Sequence, residues 1–340
     1  VTDGDLVREV HGVGVRAVEW LHARREGFRA HRPDASAAPG GSPGGVPPTG
    51  GPGSVEWETK DRLKPIGELA LIGKVLFREG VAGSQQAALA RKLMDHAWRE
   101  LLDGGRMLAW MQEREPLSAI PFEIYVPFHE LGYSAPDVER AARLTHRLGS
   151  WSALEALPVR RLGISAFERR FGLPPSVPVE EAARATWLGR LPEPWTVELN
   201  LGYSITHTVF HLTDWGERPE GLPADIAEYL AAWLPAWTAD WLEIGHWDLL
   251  GELLVVDACL PRPALDERTW RAFAAAQAPD GSMPAASPGT RGPDGREPDG
   301  GGLVDTDEVF DERYHPTLVA AFASVLATSR AMGELTEAPA

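Results

Sequence analysis

The sequence predicts an all-α protein, a single domain of helical hairpins in an α/α-toroid or solenoid-like arrangement. Apolar residues recur at steps of three and four along most of the chain, as one face of a helix requires. Glycine and proline fall where such segments would start or stop. Alternation of apolar and polar residues, the mark of half-buried strands, never extends beyond a few positions.

The first helix is predicted over 3–28, where Leu6, Val10, Val13, Ala17, Trp20 and Leu21 share a face and Gly12 and Gly14 are weak points. Residues 1–31 thus form an N-terminal helical segment. Residues 32–54, rich in Gly, Pro, Ser and Ala with almost nothing to bury, read as a disordered linker. A helical α/α domain occupies 55–335. Within it, 62–79 carries Pro65 in its first turn, 84–102 ends at Gly104-Gly105, and 120–131 ends at Gly132. Pro136 opens a helix over 136–148, and 179–188 is short. The segment 199–213 stops before Gly216. In 225–244, Trp233, Trp237 and Trp241 follow at four-residue steps, and Pro235 predicts a kink or break. Helices over 246–260, 265–276 and 316–332 complete the set, with 278–302 as a flexible Gly/Pro-rich loop. Short connections between consecutive helices favour antiparallel hairpins.

The chain has 340 residues, 44% of them hydrophobic, enough for a sizeable core. A formal net charge of −16 argues against a nucleic-acid surface, which needs clustered positive charge. No apolar run is long enough for a signal peptide or a membrane span, so a cytoplasmic location and a small-molecule ligand are the expectation; nothing names a protein partner. Cys259 is the single cysteine, which excludes an intramolecular disulfide and a multi-cysteine zinc site. No P-loop, dinucleotide fingerprint or G-x-S-x-G is present, and no cofactor is indicated.

Candidate chemistry comes from polar residues placed where helices should be apolar. Asn200, Tyr203, His207, His211 and Asp214 follow one another at steps of three or four, which aligns them on one helical face. Such a stripe can relay protons along a cavity wall or, through its two imidazoles and carboxylate, hold a metal ion; it can equally be a hydrogen-bonded structural network. Asp248 and Glu252 share a face of a segment otherwise so apolar that it should be buried, and a buried carboxylate needs a partner. Helix capping would account for Asp248 but not for Glu252. Glu68 lies in PIGELALIG, which resembles LLGELLVVD around Glu252; this places Glu68 in the same cavity, against an i,i+4 pair with Lys64 as the simpler account. Likewise VPFHELGY and TVFHLTDWG set His129 beside His211 as related positions. Tyr314 and His315 precede Pro316 and are expected at the mouth of the cavity, near the N-terminus of the last helix. His246, Trp215 and Trp247 flank the polar stripes as candidate substrate contacts, whereas the stripe Trp233, Trp237 and Trp241 suits core packing.

The segment Gln277-Ala278-Pro279-Asp280-Gly281-Ser282 resembles the Q-x-x-D-G-S-W turn of terpenoid cyclases and related α/α toroids, with Met283 in place of Trp. That resemblance implies the architecture; the acidic cyclase motifs are not matched. Over most of its length the chain also resembles an uncharacterised actinobacterial family of unknown function, through the runs 186–195, 206–215, 247–254 and 314–319. That resemblance implies a stand-alone protein of specialised metabolism and supplies no catalytic residues.

Together these features predict an enzyme in which His129, His207, His211, Asp248 and Glu252 carry acid–base chemistry. Histidines would move protons and carboxylates would orient them. Glu68, Tyr203, Asp214, Trp215, His246, Trp247, Tyr314 and His315 would contact the substrate. A metal-dependent enzyme using His207 and His211, and a non-catalytic scaffold, are the alternatives.

Overall fold

The computed structural model describes residues 4–29, 55–80, 83–287 and 306–337, and the described residues form fourteen α-helices and no strand. In chain order these are α1 (Gly4–Ala23), α2 (Val55–Glu79), α3 (Gln85–His96), α4 (Arg106–Arg114), α5 (Ile120–Glu130), α6 (Pro136–His146) and α7 (Gly149–Ser152). They continue as α8 (Pro158–Arg170), α9 (Val179–Ala185), α10 (Leu199–Leu212), α11 (Ala224–Ile244), α12 (Trp247–Cys259), α13 (Glu267–Ala276) and α14 (Thr306–Glu337). The predicted linker 32–54 lies outside the described residues. No helix is long and apolar enough to cross a membrane among them.

Local signals start and stop many of these helices. Ser84 accepts from the Ala87 amide at the head of α3, Glu198 from the Asn200 and Leu201 amides at α10, and Asp266 from the Thr269 amide at α13. Pro136 and Pro158 open α6 and α8. Gly245, with φ 74°, ends α11 in the left-handed conformation that side chains resist.

Two helices lie at the centre. In α12 every residue from Asp248 to Cys259 is buried, and the middle of α14 is buried without a break from Pro316 to Thr328. A helix apolar on all sides belongs inside a protein. The other elements pack around this pair: α1 and α2 lie along α14, and α10, α11 and α13 along α12. Close approach of α12 and α14 depends on Gly251, where a Cβ would sit 2.7 Å from Val319 Cγ1.

Three expectations are corrected. The last helix begins at Thr306 and runs through Pro316, so Tyr314 and His315 lie well inside it. Proline disfavours a helix interior by about 3 kcal/mol. Here burial of Phe310 and Tyr314 against Phe28 opposes that cost, and the Thr317 hydroxyl supplies a donor to the Arg313 carbonyl. Pro65 is likewise interior to a continuous helix rather than in its first turn, and Pro235 lies inside α11 without breaking it. Finally, α4 and α8 occupy stretches where no helix was predicted. In α8, Leu162 through Glu168 are all buried, which erases the one-sided stripe that marks a helix in sequence.

The turn at 277–282 is a staple. Asp280 accepts from Trp20 Nε1 at 3.1 Å and from the Ser282 amide and hydroxyl, and Gln277 Nε2 donates to the Val13 carbonyl. Gly281, at φ 93°, lies where a Cβ would meet the Arg16 carbonyl oxygen at 2.5 Å. The predicted loop 278–302 thus starts as a tied segment: the Asp248 amide donates to the Ala285 carbonyl and the Ser287 amide to the Gly245 carbonyl. Its remainder, 288–302, lies outside the described residues.

Candidate functional site

Helices α2, α5, α8, α10, α12 and α14, with the turn after α10, line a cavity of about 530 Å³. Most of its wall is apolar, from Leu71, Ile72, Ile124, Phe167, Phe210, Val319 and Phe322. One part is polar, where Glu68 of α2, His207 of α10, Glu252 of α12 and His315 of α14 meet.

His315 is the hub. Its Nδ1 lies 2.7 Å from Asp248 Oδ1, and its Nε2 lies 3.7 Å from both Glu68 Oε1 and Glu252 Oε1. Burial works to neutralise the imidazole, but Asp248, Glu68 and Glu252 together outweigh it and push its pKa up to about 10. It is therefore an imidazolium at neutral pH. Burial also works to raise the Asp248 carboxyl; the His315 charge and the hydrogen bonds from His315 and Tyr203 hold it below its ordinary range. The Tyr203 hydroxyl donates to Asp248 Oδ2 at 2.5 Å, and burial together with this carboxylate pushes the phenol well up. Tyr314 is pushed up in the same way by burial and by Glu68.

Glu252 is 2% exposed. The Thr206 hydroxyl donates to its Oε2, while Oε1 makes no hydrogen bond among the described residues and faces Nε2 of His315 at 3.7 Å and Nε2 of His207 at 3.8 Å. Lys64 stands 3.7 Å from Glu68. The two carboxylates in matching Gly-Glu-Leu sequences, Glu68 and Glu252, thus reach the same imidazole from different helices.

His211 lines the cavity deeper along α10. Burial, followed by His207, Arg160 and Arg170, holds its pKa well below the ordinary value, so it is neutral. Its Nε2 would be 2.9 Å from a Cβ at Gly163, so the glycine makes room for the ring. Trp215 reaches the cavity from a turn in which Asp214, Trp215 and Gly216 all have positive φ, unusual for the first two. The Trp215 amide donates to the Phe210 carbonyl, and Arg78 donates to the Trp215 carbonyl at 3.0 Å. The strained turn thereby holds the indole against Phe210 and Phe322, with its Nε1 buried and unpartnered.

The remaining predicted residues lie elsewhere. His129 faces Glu139, Tyr125 and Phe171 outside the cavity. Asp214 leaves the α10 face through its left-handed backbone and pairs with Arg169 at 2.7 Å. His246 caps α12 by accepting from the Leu249 amide, the role considered for Asp248; burial lowers its pKa, with Asp248 opposing. Trp247 donates to Ser287. Trp237 is buried and donates to the Pro194 carbonyl, whereas Trp233 is partly exposed. Among the described residues no group of three His, Cys, Asp or Glu side chains is arranged to hold a metal ion. The two-histidine arrangement loses its carboxylate because Asp214 turns away to Arg169.

Sequence reasoning missed the α8 wall, with Phe167 and Arg160, and Glu123 of α5, which accepts from Arg160 at 3.0 Å. Pro158 at the head of α8 was the one available signal. It also missed Thr206. Beyond Trp215, Lys74 bridges Glu130 at 2.9 Å and Glu217 at 2.8 Å, and Arg170 holds Glu130, tying α2, α5 and α8 to the turn after α10.

Fold and site together define an all-helical single-domain protein with an apolar cavity closed at one side by a charged imidazole–carboxylate cluster. The chain belongs to the family described as a domain of unknown function, DUF6895, which matches residues 14–325. No curated protein and no solved structure matches it.

Proposed function

We propose that the protein is an enzyme that binds a small organic molecule in the six-helix cavity and acts on it by proton transfer. One observation carries this reading: at the cavity, Nε2 of His315 stands 3.7 Å from Oε1 of Glu68 and 3.7 Å from Oε1 of Glu252, too long for a hydrogen bond to either and short enough for one intervening atom to touch the imidazolium and a carboxylate. The roles divide differently from the sequence expectation. Asp248 keeps His315 charged, so the imidazolium is a fixed donor rather than a base. Glu252 is the group free to take a proton. In the step that follows, Glu252 Oε1 removes a proton from the bound molecule, the electron pair left behind moves onto a substrate oxygen, and the His315 Nε2–H holds the charge that develops there. Return of the proton from Glu252 completes the cycle. His207, 3.8 Å from Glu252, is placed to exchange that proton with solvent.

The test is untargeted mass spectrometry of a bacterial metabolite extract incubated with wild-type protein, with Glu252→Gln and with buffer. Wild-type protein is expected to deplete a species, or to exchange one of its protons for deuterium in D2O, about a hundredfold or more faster than Glu252→Gln. Identical traces for all three samples would overturn the reading.

A further inference from the structure

We infer that the cavity takes an uncharged, largely apolar molecule presenting one hydroxyl or carbonyl oxygen to the His315 end. This rests on the cavity being a ligand site, as proposed above, and goes beyond it by naming the ligand class.

Within the cluster, hydrogen-bonding capacity is left over where His315, Glu252 and Glu68 face the cavity. Nδ1 of His315 is committed to Asp248, and Oε2 of Glu252 to Thr206. What remains is one donor, the His315 Nε2–H, and the carboxylate oxygens around it: Oε1 of Glu252, on a nearly fully buried side chain, and those of Glu68, whose Oε2 is buried without a partner. An atom between them must accept from the imidazolium, and a group that also donates to a carboxylate satisfies both. A hydroxyl oxygen does this; a carbonyl oxygen takes the first bond and leaves Glu252 as base. Buried donors and acceptors left unpaired are costly, which makes the oxygen a specific requirement rather than a tolerated feature.

Charge gives the same answer. Asp248 is matched by His315, and Glu68 has Lys64 at 3.7 Å. Arg160 is already paired with Glu123. An ammonium group would meet the His315 Nε2–H head on, and a carboxylate would enter among three others. The rest of the wall, including Phe167, Phe210 and Phe322, offers apolar contact.

A set of compounds on one skeleton tests this on the intact wild-type protein at pH 7: 2-methylnaphthalene as the apolar parent, 2-naphthol and 2-acetylnaphthalene as neutral oxygen compounds, 2-naphthylmethylamine as the cation and 2-naphthoate as the anion. Dissociation constants come from ligand-observed NMR. The oxygen compounds are expected to bind about tenfold or more tightly than the parent, the amine and the naphthoate, and His315→Gln should reduce that preference to about twofold while leaving parent binding in place. If the parent binds but the amine or naphthoate matches the oxygen compounds, or if the preference survives His315→Gln, the ligand class is wrong and the cavity remains a binding site. If none of the five binds wild-type protein, the ligand class and the cavity reading fall together.

Discussion

At the scale of single residues, the protein keeps charge inside a helical core by pairing it. Asp248 is nearly buried and sits below its ordinary pKa only because His315 and Tyr203 address both of its oxygens. Removing one partner from such a pair leaves an uncompensated buried charge, so Asp248→Asn is expected to destabilise the fold by about 3–5 kcal/mol in chemical denaturation. The pH dependence has a definite sign. The folded pKa of His315, about 10, lies above the ordinary value of 6.5, so its stabilising contribution is complete below pH 6.5 and fades as pH rises toward 10. The stability difference between wild type and His315→Gln should therefore shrink steadily from pH 6 to pH 10. A difference that is constant or grows over that interval would show that the imidazole is neutral in the folded protein.

At the scale of elements, the site depends on how closely helices cross. Gly251 faces Val319 and Phe273 with no room for a methyl group, and it immediately precedes Glu252. Gly251→Ala is expected to cost about 1–3 kcal/mol through overpacking, read as a lower denaturation midpoint. It should also weaken cavity binding, because it pushes α12 away from α14 where Glu252 and His315 meet. The continuation of α14 past Pro316 matters equally. In a helix that began at Pro316, His315 would precede the first turn; in the observed helix it is directed at Asp248, Glu68 and Glu252 together. Sequence reading placed it at a helix start because proline is a strong local signal, and local signals yield when enough aromatic surface is buried beyond them. The buried α8 was invisible for the related reason that a helix covered on most sides has no polar face to set a period.

At the scale of the whole molecule, the N-terminal helix is part of the common core and not an appendage. Leu6, Val10, Val13, Ala17, Trp20 and Leu21, the face read from the sequence, are all buried, and the turn at Asp280 clasps α1 through Trp20 and Val13. Asp280→Ala removes the acceptor for the Trp20 indole and for Ser282, and is expected to lower stability by about 1–3 kcal/mol in a single cooperative transition. An early, separate melting of α1 would instead mark it as an independent unit.

The sequence by itself determined the all-helical class, the face of α1, and the suspicion attached to Glu252, because periodicity and a charge within an apolar run are properties of neighbouring residues. It also tied Glu68 to Glu252 through their shared Gly-Glu-Leu text. Only the tertiary structure decided which polar residues meet. It separated His129, Asp214, His246 and Trp247 from the cavity, supplied the α8 wall, and placed His315 at equal distance from two carboxylates far apart in the chain. Such distances are set by helix crossings and by what burial outweighs at Pro316, and neither is written in any local stretch of sequence.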